Sequence, residues 1–168
     1  MGCSSTYTHK GVTGKNLPLF KGHTLNKKEI TLPDDFLGQK SILLIGYVQN
    51  SQFDIDRWLI GLDMQRVVTP VFEIPAIKGF WPKLFRNQID NGMRRGIPNE
   101  LWKIVITVYD DGEKIQEFLG NEKPGNARIV ILDEQGEIIY FYDRGFSVNA
   151  LKEALKFVER ENESSSSL

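Results

Sequence analysis

Residues 41–59 read SILLIGYVQNSQFDIDRWL, and this stretch decides the fold. Ser41 to Val48 is an almost unbroken apolar run, the pattern of a strand buried on both faces. The polar stretch VQNSQ follows, and the period then changes. Ile55, Trp58, Leu59 and Leu62 recur at helical spacing, which predicts a helix with one apolar face. Ser51 and Asp54 have the spacing of a capping box, with Asp where Glu is usual. Asp54 and Asp56 fall in the first turn, where carboxylates meet the positive end of the helix dipole; that is a commoner role for such acids than holding a metal.

Working outward, QRVVTPVFEI predicts a second strand over Arg66 to Glu73, and ELWKIVITVYDD a third over Lys103 to Tyr109. Between them Phe80, Trp81, Leu84, Phe85, Ile89 and Met93 fall at helical spacing, with Lys83, Arg86, Arg94 and Arg95 interleaved. This is the most aromatic and most basic part of the chain. It reads either as an amphipathic helix lying on the sheet or as a surface for a partner or lipid headgroups, with Phe80, Trp81, Lys83, Phe85 and Arg86 making contact. DGEKIQEFLG predicts a short helix with Ile115, Phe118 and Leu119 inward and Gly120 as its C-cap. GNEKPGNA has glycines at the spacing of a phosphate-binding loop. Asn126 and Ala127 stand where that loop needs a lysine and a hydroxyl, so it reads as a turn-rich connection. A hairpin is predicted from Arg128–Leu132 and Glu137–Tyr142 around DEQG, and Ser147 should cap a last helix carrying Val148, Leu151, Leu155 and Val158. Upstream, LPLFKGHTLNKKEITLPDDFLGQK suggests short extended pieces and turns.

Alternating strands and helices that end in a hairpin predict an α/β fold: a mixed central sheet with a parallel core and a C-terminal antiparallel hairpin, flanked by helices. The expected organisation is an N-terminal tether over 1–16, one domain over 17–160 and a disordered tail over 161–168.

The pieces SILLIGYV and ARIVILDEQGEIIYFY, each with its following helix, resemble the thioredoxin-like superfamily, and the lead-in LPDDFLGQK resembles that of its peroxiredoxin-like and lipoprotein relatives. Within it, RRGIP, the strand that follows, IQEFLGNEKPGNARIVILDEQGEI and a closing Gly-bearing turn resemble the ATP synthase assembly-factor family and its bacterial relatives. These are patterns of apolar and turn residues rather than a catalytic signature. The resemblance implies a redox slot at the start of the first core helix, where two cysteines spaced Cys-x-x-Cys would sit. A helix N-terminus favours a thiolate there. The matching residues are Asn50, Ser51, Gln52 and Phe53, and neither Asn50 nor Phe53 can form a disulfide. The family's cis-proline before the hairpin falls at Arg128.

The inventory narrows function further. Cys3 is the only cysteine in 168 residues, which excludes an internal disulfide and any cysteine-pair zinc site. His9 and His23 both precede the first clear strand and read as solvated loop residues. A net charge of −1 argues against a nucleic-acid binder. No segment approaches the roughly 20 apolar residues that span a bilayer.

The opening MGCSST has three open readings: myristoylation of Gly2 with palmitoylation beside it; a bacterial lipoprotein with lipid on Cys3, Met1 standing in place of a removed leader; or a plain terminus. The favoured expectation is a non-catalytic, thioredoxin-like lipoprotein that acts as a binding or assembly module in the bacterial cell envelope, facing the periplasm. Its partner would be a protein, such as a membrane protein complex, with no cofactor, metal or nucleic acid. Myristoylation would instead place it on the cytoplasmic face of a membrane. Two alternatives are an enzyme or small-ligand binder, with Asn50, Ser51, Gln52 and Arg128 around an anion at the helix start, and a purely structural envelope lipoprotein.

Overall fold

A computed structural model describes residues 6–8, 11–77 and 86–161. The strands are β1 (Phe20–Thr24), β2 (Glu29–Leu32), β3 (Ser41–Gly46), β4 (Val71–Pro75), β5 (Ile106–Thr107), β6 (Arg128–Leu132) and β7 (Ile138–Tyr142). The helices are α1 (Gln52–Met64), α2 (Arg86–Gly96), α3 (Gly112–Leu119) and α4 (Val148–Ala154).

The chain before the central strand forms a hairpin. β1 pairs antiparallel with β2 on one side and with β5 on the other. The second sheet runs β4-β3-β6-β7, with β3 and β4 parallel and the two following pairs antiparallel. Parallel bridges at Glu73–Val105 and Ala76–Val108 stitch β4 to the β5 region, so the two sheets are continuous.

β3 is central and buried at every residue, as its unbroken apolar run predicts. Its side chains alternate between two cores. Ile42 and Leu44 face one core with Trp58 and Leu62 of α1 and Leu151 of α4. Leu43 and Ile45 face the other with Phe20, Leu32, Ile115 and Leu119. Ser147 caps α4 as expected, its hydroxyl accepting from Ala150 N at 3.1 Å. Gly120 ends α3 with a φ of 81°.

Several expected boundaries move. The second strand begins at Val71 rather than Arg66, because Arg66 takes a left-handed conformation (φ 53°) that turns the chain after α1. The third shrinks to Ile106–Thr107, flanked by single bridges at Val105 and Val108. α4 ends at Ala154, short of Val158. The described part of the basic helix, α2, buries no residue at all, so it is not an element packed flat on the sheet.

Backbone pairing also continues upstream of residue 17. Gly14 N donates to Ile138 O at 2.8 Å, and Ile138 N donates to Lys15 O at 2.9 Å. Val12 is buried. Tyr7 and Asn121 exchange two hydrogen bonds, Tyr7 N to the Asn121 side chain at 2.7 Å and Asn121 N to Tyr7 O at 2.8 Å.

Candidate functional site

The loop between β3 and α1 is built from below. β3 ends at Gly46, where an added Cβ would lie 2.5 Å from Ser51 Oγ and 3.1 Å from Ile55 Cδ1; only glycine lets the loop fold back this closely. Residues Gln49–Ser51 then form a single 3-10 turn that runs directly into α1.

That turn overturns the expected capping box. Ser51 already has helical backbone angles (φ −67°, ψ −16°), so its hydroxyl cannot reach forward to the orphan amides of the first turn. It donates backward to Val48 O at 2.6 Å instead. Asp54 is buried and does more than face the dipole. Its carboxylate accepts from Ala127 N at 2.8 Å and from Phe146 N at 2.7 Å. One side chain thereby ties the start of α1 to the chain before β6 and to the loop before α4. Asp56, by contrast, is exposed and accepts from the Gln52 side chain at 3.0 Å.

Arg128 stands at the start of β6, opposite Ile45 near the end of β3. It is almost wholly buried, with 1 % exposure. Nη1 donates to Lys123 O at 2.9 Å and to Asn126 O at 2.6 Å, and the guanidinium stacks 4.2 Å from the centre of the Tyr47 ring. Burial pushes the Arg128 pKa down, while Tyr47, Asp143 and Asp54 oppose the shift. Burial pushes the Tyr47 phenol up, and the Arg128 charge pulls it back in part. Beside the loop, burial raises the Glu73 carboxyl, partly offset by a hydrogen bond from Gln52.

The outer side of the loop is different. Asn50, Gln52 and Phe53 are exposed, and only Ser51 of the four slot residues is buried. Phe53 shows 70 % of its surface, and it continues along α1 into Ile60 (60 %) and Met64 (73 %). Steps of seven and four residues put these three on one helical stripe. The slot is thus a firmly held apolar and amide surface without a thiol, its one hydroxyl, on Ser51, buried and donating to Val48 O.

Of the other expected sites, Gly2, Cys3, His9, Phe80, Trp81, Lys83 and Phe85 lie outside the described residues. Arg86 is described and exposed at the start of α2. Among the described residues no cluster of His, Cys, Asp or Glu could hold a metal ion, and no helix is long and apolar enough to cross a membrane.

Solved structures share this architecture. A thiol peroxidase from Chromobacterium violaceum matches over 90 % of each chain with a TM-score of 0.55 at 14 % identity. BsSco, of the Sco family of cytochrome c oxidase assembly proteins, matches over 88 % of this chain and 94 % of its own, with a TM-score of 0.60 at 10 % identity. The exposed lipoprotein thioredoxin Etrx1 of Streptococcus pneumoniae matches over 83 % and 98 %, with a TM-score of 0.54 at 14 % identity. The fold is thioredoxin-like. No family model matches the chain, and no curated protein matches it. The β3–α1 loop is the place where the resemblance implies a redox slot. This chain reaches that position without cysteine, since its one cysteine is Cys3.

Sequence reasoning did not find Tyr47 or the true work of Asp54. The partners of Asp54 lie 73 and 92 residues away, so no local spacing could reveal them.

Proposed function

We propose that this chain is a thioredoxin-like binding module which uses its thiol-free loop to dock a protein partner at a membrane surface. The observation that carries this reading is the two-sided loop. Asp54, Ser51 and Arg128 hold it from beneath, while Phe53, Ile60 and Met64 stand exposed above. Preorganised apolar surface reduces the ordering cost of docking. Isolated exposed hydrophobics are ordinary, but an aligned stripe that begins at the old redox position is not.

Lipid on Cys3, or on Gly2 in the myristoyl version, would supply the membrane link, and a single acyl chain would need a second signal to hold. Etrx1 is described as an exposed lipoprotein and BsSco as an assembly protein, which makes an anchored assembly role a natural one for this chain. On this reading it is a relative of the ATP synthase assembly-factor family that acts in the bacterial envelope, and its partner is a subunit of a membrane complex. The small-anion reading of the same loop gains no support, because Arg128 is committed to backbone carbonyls beneath the surface.

The test places a photocrosslinker at position 53 in native membranes, with a second at exposed Glu117 on α3 as control. One membrane-complex subunit captured at 53 but not at 117, and lost in Met64→Glu, is the expected result. No adduct at 53, or equal capture at both positions, would sink the reading. Mass spectrometry of the native protein checks the anchor: a lipid mass should disappear in Cys3→Ala, or in Gly2→Ala for the myristoyl version. A deletion phenotype confined to envelope integrity would favour the purely structural alternative.

A further inference from the structure

On a different part of the molecule, the turn between β1 and β2 faces α2 and β5 across a cleft of about 240 Å³. His23, Lys27, Arg86, Asp90, Arg94 and Tyr109 line it. Lys27, Arg86 and Arg94 bring three permanent cations to a cleft that holds one carboxylate, Asp90. That carboxylate is already engaged, since the Tyr109 hydroxyl donates to it at 2.7 Å. Burial and the Asp90 contact push the Tyr109 phenol up, so it adds no second negative charge.

Arg94 is fixed in place. Its Nε donates to Leu25 O at 2.6 Å, its Nη1 to Asn91 Oδ1 at 2.7 Å, and its guanidinium lies 6.0 Å from the centre of the Trp102 ring. Lys27 and Arg86 are exposed, and their side chains make no hydrogen bond or ion pair with the described residues; only their backbones do, Lys27 N donating to Thr24 O and Arg86 O accepting from Tyr109 Oη. Lys27 also occupies a left-handed position (φ 71°), where glycine or asparagine is the usual choice. Three cations share one carboxylate, so the cleft keeps a surplus of positive charge that an anion would relieve.

We propose that this cleft binds a phosphomonoester, with Lys27 and Arg86 closing on the phosphate from either side and Arg94 held beside them. The double negative charge matches the surplus of cations, and guanidinium forks suit phosphate oxygens. The cleft exceeds the size of a bare phosphate and falls just below the roughly 300 Å³ at which drug-sized sites begin. The ligand is therefore a phosphate on a small polar body, either a soluble sugar-phosphate-like molecule or a lipid headgroup. The site does not depend on the β3–α1 loop or on its partner.

The experiment follows backbone amide shifts of the full chain in three titrations: glucose 6-phosphate against glucose, inorganic phosphate, and phosphatidylcholine vesicles with and without phosphatidic acid. Shifts confined to the β1–β2 turn and the first turns of α2 are expected with the phosphorylated probes only. Arg86→Gln and Lys27→Asn should each weaken binding about tenfold, the loss of one charge-assisted hydrogen bond. Asparagine suits the turn at position 27, so that variant also guards against misfolding. A response to the soluble ester alone identifies a small-molecule site, and a response to the acidic vesicles alone identifies a headgroup site; each supports the proposal. Silence from all phosphate probes, or full affinity in both variants, overturns it.

Discussion

α1 and α2 are similar in length and opposite in construction. α1 buries Ile55, Trp58 and Leu62, and Asp54 anchors its first turn to two distant backbone amides. α2 buries nothing and is held by polar side chains, with Tyr109 on Asp90 and Arg94 on Leu25 O. The β3–α1 loop thus rests on the better-fixed helix. The cationic cleft rests on the helix with the weaker hold. A surface meant to present a fixed stripe benefits from the first arrangement. A cleft that must admit a ligand tolerates the second.

The largest effect should come from Trp58, which is wholly buried and meets Tyr142 and Phe146 edge-on. Trp58→Ala should cost about 4 kcal/mol, read as a lower denaturant midpoint with the chain still folded. Asp54→Ala leaves two backbone amides without their acceptor and should cost about 3 kcal/mol. Amide exchange should quicken at Ala127 and Phe146 before anywhere else. If the loss instead stays under about 0.5 kcal/mol, the level of an ordinary surface change, the contrast between the two helices fails.

On the other side, Arg94→Ala should cost only about 1 kcal/mol, with exchange quickening along α2 and little change in α1. Alkali probes the α1 side through Tyr140, whose hydroxyl donates to Ala150 O and whose pKa is pushed up to about 12, chiefly by burial. The folded state favours the neutral phenol, so stability should hold below the ordinary value of 10.0 and fall as pH rises towards 12. Tyr140→Phe should flatten that part of the curve. The smallest effect concerns Glu73, whose carboxyl is raised by burial. Its ionisation opposes folding as pH rises, so Glu73→Gln should raise the melting temperature slightly at pH 7 and less at pH 4.

What the sequence made legible follows the range of each interaction. β3 and α1 were readable because their signals are runs and periods within a few residues. The Ser147 cap and the Gly120 terminus were readable because each sits next to the helix it ends. The position of β4 was not, since Arg66 adopts a conformation unusual for arginine and shifts the strand five residues on. Ser51 looked like a cap by spacing. Its conformation depends on the 3-10 turn before it and on Gly46, and neither enters a spacing rule. The cationic cleft gathers residues from positions 23 to 109, so no window of sequence contained it.

In the lipid-anchored form proposed above, the double hydrogen bond between Tyr7 and Asn121 would set the length of a leash. A lipid on Cys3 would stand four residue steps from Tyr7, a distance of about 14 Å at full extension. Tyr7 Oη also donates to Glu113 at 3.1 Å, so a lipid on Cys3 would moor one patch of the domain, around Asn121 and α3, towards a bilayer. Such a protein would move like a boat at a short mooring. It could turn about its anchor point and search the membrane plane, but it could not reach far into the space beyond.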